Sequence, residues 1–315
     1  MKLTTAQIRS LLFGAVTVAE EADGLRVGKC SDAVLEVWGT LSNVLKQRAM
    51  APSGVRLDFE TDSEEVTFSL KGTQFDLLVD GLLADRFFGS QETEDFSVTL
   101  DGGMHRLTLI FPSHECTYCR VVGLELTDGA SVTPHEYDCK FLFLGDSITQ
   151  GWNSDLDSLS YAWRTSLHFN ADSIIYGVGG AYFCKDTFEV PQGFAPDRVF
   201  VAFGTNDFNF FKTPESLREN AAAYLDRVTE AFGAEKILGI TPIWRYDTWV
   251  NSMGTFDECI DIIREEYEKR GIATVDGLSL VPNRKEFFSD VVHPNAIGFS
   301  MYAENLIRVL EGDGE

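Results

Sequence analysis

Basic residues are scarce in this chain: 26 Lys and Arg stand against 49 Asp and Glu, leaving a formal net charge of −23 at pH 7. A field of that sign repels nucleic-acid phosphates and anionic lipid surfaces, so neither nucleic acid nor a membrane is expected as a partner. Long apolar runs are missing too. No segment reaches the length of a membrane-spanning helix, and Met1–Ile8 shows no basic region followed by an apolar stretch. The location expected from that pattern is cytoplasmic, with reduced thiols. Internal repeats and low-complexity tracts are absent. Cysteines are few, six in all, at positions 30, 116, 119, 139, 184 and 259. Cys116-Thr117-Tyr118-Cys119, preceded by His114, has half the spacing of a zinc site. No second pair follows, so no metal and no cofactor is expected, and the cysteines read as ordinary buried or half-buried thiols.

What is present divides the 315 residues into two rhythms. Before about residue 136 the apolar residues recur with period two, as in Val55–Glu60, Val66–Leu70, Phe75–Gly81 and Phe96–Leu100. Asp101-Gly102-Gly103 reads as a hairpin turn leading into His105–Phe111. Short alternating strands punctuated by turns predict an antiparallel β-sandwich or jelly roll over residues 1–136. The segment Ser131–Glu136 reads as a linker. From 137 to 315 strands alternate with helices. Apolar strands are expected at 141–145, 173–177, 198–203, 236–240 and 272–276. One helix is bounded by Thr213-Pro214 and Gly233, a second runs near 256–270, and a last one spans about Asn295 to Leu310. Repeated βα units predict an α/β domain, a parallel sheet covered by helices on both faces.

The segment Phe141-Leu142-Phe143-Leu144-Gly145-Asp146-Ser147 is a buried strand running into an exposed loop, where open parallel sheets bind ligands. Gly-Asp-Ser alone is a common turn, and Ser147 lacks the Gly-x-Ser-x-Gly elbow of the α/β-hydrolases. Three further blocks follow in order: Gly177-Val178-Gly179-Gly180, Gly204-Thr205-Asn206-Asp207, and Asp290-Val291-Val292-His293-Pro294-Asn295. Glycines let backbone N–H groups approach a substrate, Asn206 brings an amide to the same sheet edge, and a carboxylate three residues before a histidine can orient its ring.

The four blocks resemble those of the SGNH, or GDSL-type, hydrolase superfamily, over roughly residues 140 to 310. The resemblance implies a three-layer α/β/α, flavodoxin-like domain. It makes Ser147 the nucleophile, His293 the general base and Asp290 the carboxylate that orients it. The oxyanion hole it implies comprises the backbone N–H groups of Ser147 and Gly180 and the side-chain amide of Asn206, with Gly180 preferred over Gly179. Asp146 and Asp207 are read as loop-fixing residues outside the catalytic set. A β-rich domain ahead of such a hydrolase is similar to the arrangement in carbohydrate esterase family two and related deacetylases. That implies a serine esterase releasing small acyl groups, above all acetyl groups, from a small-molecule or oligosaccharide ester.

Trp152, Trp163, Phe208, Trp244 and Tyr246 fall near the expected sheet edge, where aromatic faces can pack on sugar. Trp152 and Trp244, with Arg245 as a hydroxyl partner, are the candidate substrate-binding residues, and core packing is the ordinary alternative for any single ring. Two other functions stay open: a short-chain lipase or thioesterase, and a carbohydrate-binding protein without activity. A homo-oligomer is compatible with the sequence.

Overall fold

The computed structural model describes residues 1–114 and 117–312; Cys116 of the Cys116–Cys119 pair lies outside the described residues. The chain starts with α1 (Thr5–Ser10) and the strands β1 (Leu12–Phe13), β2 (Thr17–Glu21) and β3 (Gly24–Gly28). Two helices follow, α2 (Asp32–Leu41) and α3 (Asn43–Met50). Strands then continue as β4 (Arg56–Thr61), β5 (Glu65–Lys71), β6 (Gln74–Val79), β7 (Leu82–Phe88), β8 (Glu94–Thr99), β9 (His105–Ile110), β10 (Cys119–Leu126) and β11 (Val132–Pro134).

These strands form two antiparallel sheets, ordered β1-β4-β9-β6-β7 with β11 on β4, and β2-β3-β10-β5-β8. Their inner faces interdigitate in one apolar cluster, with Leu57, Phe59 and Leu107 from one sheet meeting Val66, Phe68 and Val121 from the other. This is the expected sandwich. Asp101-Gly102-Gly103 is not a hairpin turn, however. β8 pairs with β5, and β9 pairs with β4 and β6, so the turn carries the chain from one sheet to the other. Alternation fixes which face of a strand is buried, not which strand lies beside it. The segment read as a linker is also tied down, because Val132, Thr133 and Pro134 pair with Thr61, Glu60 and Phe59. Proline is tolerated on this short edge strand because it needs no outward donor.

The helices α2 and α3 break the period-two reading of this half. Ser31 Oγ accepts the Val34 N–H at 3.2 Å and caps α2. Val34, Leu35 and Trp38 share its buried face. Both helices leave the sandwich and pack on the second half, where Trp38 and Leu45 join Leu142, Leu144, Ile174 and Tyr176 in one core.

That half is built on β12 (Cys139–Gly145), β13 (Ala171–Gly177), β14 (Arg198–Ala202), β15 (Ile237–Ile240) and β16 (Ala273–Val275). The five strands are parallel and ordered β13-β12-β14-β15-β16. One face carries Leu142, Leu144, Val199 and Val201, covered by α2, α3, α7 (Pro214–Phe232) and α8 (Phe256–Glu268). The other carries Phe141, Phe143 and Phe200, covered by α5 (Tyr161–His168) and α9 (Ala296–Glu311). The result is the three-layer α/β/α architecture read from the sequence. Its strand order places a topological switch point between β12 and β14, where such sheets open a crevice.

The two halves meet around Arg56, which is fully buried. It donates to Tyr137 Oη at 2.7 Å, to the Ser173 carbonyl at 3.2 Å and to Asp172 Oδ1 at 2.9 Å. Among the described residues no helix is long and apolar enough to cross a membrane.

Candidate active site

Ser147 opens a single helical turn, α4 (Ser147–Gln150), directly after β12. Asp146 caps it, its Oδ1 accepting the Ile148 N–H at 2.9 Å. The turn lies so close to β13 that a Cβ on Gly177 would stand 2.2 Å from the Gln150 nitrogen. Glycine at this strand end is therefore a requirement of the close approach.

His293 sits on the loop before α9. Its Nε2 lies 2.8 Å from Ser147 Oγ and its Nδ1 lies 2.8 Å from Asp290 Oδ2. Asp290 Oδ1 accepts the backbone N–H groups of Val292 and His293, each at 2.8 Å. Partial burial alone pushes the Asp290 carboxyl up, but the hydrogen bonds from the His293 backbone, the His293 ring and the Val292 backbone outweigh it and hold the group below its ordinary value. Asn153 adds a further donor, its Nδ2 meeting Asp290 Oδ2 at 2.9 Å.

Beside Ser147, the chain turns at Val178–Ala181, closed by the Ala181 N–H on the Val178 carbonyl at 2.9 Å. Gly180 takes φ of +84° there, a left-handed conformation that favours glycine. Gln150 Oε1 accepts the Gly179 N–H at 2.6 Å, so that donor is occupied within the protein. The Gly180 N–H has no protein acceptor among the described residues. Asn206, in the loop after β14 and at the start of the short helix α6 (Asp207–Phe210), donates one amide hydrogen to the Ala181 carbonyl at 2.9 Å and fixes its side chain at the same edge.

Ser147, Gly179, Gly180, Asn206 and His293 line a cavity of about 310 Å³, together with Arg48, Trp152, Asn209, Arg245, Asp247 and Val292. Two of the three candidate substrate-binding residues are therefore at this cavity. Trp152 stands between the His114 ring, 4.9 Å away, and the Arg48 guanidinium, 5.2 Å from its centroid. Arg245 is buried and bound to both oxygens of Asp247, at 2.5 and 2.7 Å, and to the Thr205 carbonyl at 2.5 Å. Its charge is matched inside the protein, and it braces the loop that carries Asn206. Trp244 does not line the cavity: it packs on Phe288 at 5.3 Å and Tyr246 at 5.7 Å. Trp163 and Phe208 are core residues at 3% and 0% exposure.

Asp146 and Asp207 are both buried near this edge. Burial first of all pushes each carboxyl up to about 7, and the charge of Asp146 adds to the effect on Asp207. Sequence reasoning missed Arg48, Asn153, Asn209 and Asp247. Gln150 was within reach of inference, as a polar residue on the turn that Ser147 opens. Arg48 carried no signal, because it lies in the half where no chemistry was legible.

Residues 143–300, half of the chain, match the GDSL-like lipase/acylhydrolase family. The chain belongs to this family. No curated protein matches it. Among solved structures, the salicylyl-acyltransferase SsfX3 of a tetracycline biosynthetic pathway superposes with a TM-score of 0.82 at 17% identity, covering 96% of this chain and 94% of that one. An acetyl xylan esterase, Est2A, from the rumen bacterium Butyrivibrio proteoclasticus gives 0.70 at 16% identity, covering 99% and 98%. A family two carbohydrate esterase from Clostridium thermocellum, solved with cellohexaose, gives 0.69 at 18% identity, covering 83% and 93%. At these identities the likeness is one of fold, and it extends over both halves of the chain. GDSL-like family membership makes this protein a hydrolase of the SGNH type.

Proposed function

We propose that the protein is a serine esterase that removes small acyl groups, acetyl above all, from carbohydrate. The observation that carries this reading is the hydrogen-bonded line from Ser147 Oγ through His293 to Asp290 at the wall of one cavity. In the first step Ser147 Oγ forms a bond to the acyl carbon while His293 Nε2 takes its proton. The carbonyl electron pair moves onto oxygen, where the N–H groups of Ser147 and Gly180 and the free amide hydrogen of Asn206 receive it. The pair then returns, the alcohol departs and His293 gives it the proton. Water repeats the sequence on the acyl-enzyme, releasing acid and restoring Ser147. Asp290 holds the ring with Nδ1 protonated and balances the imidazolium formed in each half-reaction.

The choice of a sugar acetate rests on the chemistry named for the two esterase relatives and on the indole face of Trp152 at the cavity. Acetate release from acetylated mono- and oligosaccharides tests it, with Ser147→Ala as the control expected to be inactive. Turnover that survives Ser147→Ala removes the mechanism. Rates that climb with acyl-chain length across a panel of 4-nitrophenyl esters favour a lipase or thioesterase instead. A stable oligosaccharide complex that does not react with a fluorophosphonate favours a binding protein.

A further inference from the structure

Building on the serine-esterase reading, we propose that Arg48 is a positioning residue for the oxyanion donor, holding and polarising the peptide unit between Gly179 and Gly180. That unit has two polar ends. Its N–H belongs to Gly180 and faces the developing oxyanion. Its carbonyl, on Gly179, accepts Arg48 Nη1 at 3.1 Å. Amide resonance couples the ends: a cation on the carbonyl oxygen draws electron density away from nitrogen and makes the N–H a stronger donor. The effect needs a charge that no carboxylate neutralises. No carboxylate among the described residues pairs with Arg48, whereas Arg245 across the cavity is matched by both oxygens of Asp247.

Arg48 is held through both its side chain and its backbone. The guanidinium lies over the Trp152 indole, its Cζ 5.2 Å from the ring centroid, in a cation–π contact. A Cβ on Gly179 would stand 3.0 Å from Arg48 Cδ, and one on Gly180 would stand 2.9 Å from Nη1, so the glycines give the arginine its space. The carbonyl of Arg48 itself accepts Lys29 Nζ at 3.3 Å.

Lys29 extends the same construction. It is fully buried and donates to the Gly177 carbonyl at 2.5 Å and to Ser53 Oγ at 3.0 Å. Gln150, which takes the Gly179 N–H, is anchored in turn by donating its amide to the Ser113 carbonyl. The carbonyls of Gly177 and Gly179 and the N–H of Gly179 are thus occupied, two of the three by cations from the segment ahead of β4. The N-terminal half is part of the oxyanion hole's construction, not an appendage to it.

Steady-state hydrolysis of 4-nitrophenyl acetate by the full chain tests this, comparing wild type, Arg48→Met and Arg48→Lys with Ser147→Ala as the blank. Methionine keeps an apolar stem against Trp152 and removes the charge. The expected result is a fall in kcat of about tenfold for Arg48→Met with KM within about twofold, and partial recovery in Arg48→Lys. Binding of a trifluoromethyl ketone, whose hemiketal oxyanion occupies the same hole, should weaken by the same factor as kcat/KM. A role in stability alone would lower the melting temperature and leave that inhibitor's affinity intact. Unchanged kcat, a raised KM at constant kcat, or an unmoved inhibitor constant would each overturn the proposal. If Arg48→Met does not fold, Arg48→Gln carries the comparison, since it keeps a polar side chain and removes the charge. Wild type lacking Ser147-dependent turnover would overturn the esterase reading together with this one; Ser147-dependent turnover indifferent to Arg48 would overturn this one alone.

Discussion

Asn153 donates its side-chain amide to Oδ2 of Asp290, the same oxygen that His293 Nδ1 meets. Asn153 holds φ of +66°, a conformation that glycine adopts freely and alanine does not. Replacement by glycine therefore removes the amide and keeps the backbone. Asn153→Gly should lower kcat by about fivefold with little change in the urea midpoint, the loss expected of one hydrogen bond to a charged group. Asn153→Ala should show the same kinetic loss and a further destabilisation of about 1 kcal/mol. Equal kcat in Asn153→Gly and wild type would show that the contact does not orient Asp290.

Gly180→Ala should be more damaging than its size suggests. The new methyl group meets Arg48 Nη1 at 2.9 Å in a backbone held at φ +84°. We expect kcat for 4-nitrophenyl acetate to fall by at least about tenfold, with the fold retained by circular dichroism. Wild-type kcat in this variant would place the oxyanion donor elsewhere.

Asp207 makes stability depend on pH. Its Oδ1 accepts the Phe183 N–H at 2.9 Å, while Oδ2 is buried with no hydrogen-bond partner among the described residues. Folded, the carboxyl titrates near 7; unfolded, near 4. The folded state therefore holds an extra proton between those values, and stability falls as pH rises from about 4 to about 7, then levels off. Asp146 acts in the same direction. Melting curves at pH 5 and pH 8 should show the lower midpoint at pH 8. Asp207→Asn, which keeps the acceptor for Phe183, should narrow that difference by roughly a few degrees. A difference equal to that of wild type would contradict the assignment.

Arg56 joins the sandwich to the parallel sheet. Removing it leaves Asp172 without its cation, while the buried Asp58 keeps Arg106, which binds both of its oxygens. Arg56→Met should cost roughly 3–5 kcal/mol in urea unfolding, because Asp172 loses its counter-charge and the Tyr137 hydroxyl and Ser173 carbonyl each lose a hydrogen-bond partner. Far-ultraviolet and tryptophan-fluorescence transitions should shift together if the two halves unfold as one unit. A shift below about 1 kcal/mol would show that this junction carries little of the stability.

The hydrolase half was the more legible in the sequence, for a physical reason. Its strands are buried on both faces, so Phe141–Leu144 stands out as an unbroken apolar run, and its helices carry strong boundary signals at Thr213-Pro214 and Gly233. Three of the four motif blocks follow a strand end, which the parallel sheet collects at one edge, and the fourth, Asp290–Asn295, lies in the loop before α9. The sandwich was harder to read. Alternation marked Phe96–Leu100 and His105–Phe111 as half-buried strands, yet their partners lie far along the chain, and the turn between them crosses from sheet to sheet. The helices α2 and α3 escaped notice because their apolar faces serve a core formed by residues more than 90 positions later.

By itself, the sequence determined the class of both halves, the candidate nucleophile, and the carboxylate three residues ahead of its candidate base. Those features are local, set by periodicity within a strand or by spacing within a loop. Tertiary structure decided which aromatic rings reach the cavity, leaving Trp152 there and drawing Trp244 into packing with Phe288. It also decided that Arg245 is neutralised by Asp247 while Arg48 meets no carboxylate among the described residues. Such facts depend on which side chains long-range packing brings within hydrogen-bond distance, and no local pattern encodes the meeting of a helix at Arg48 with a glycine turn 131 residues away.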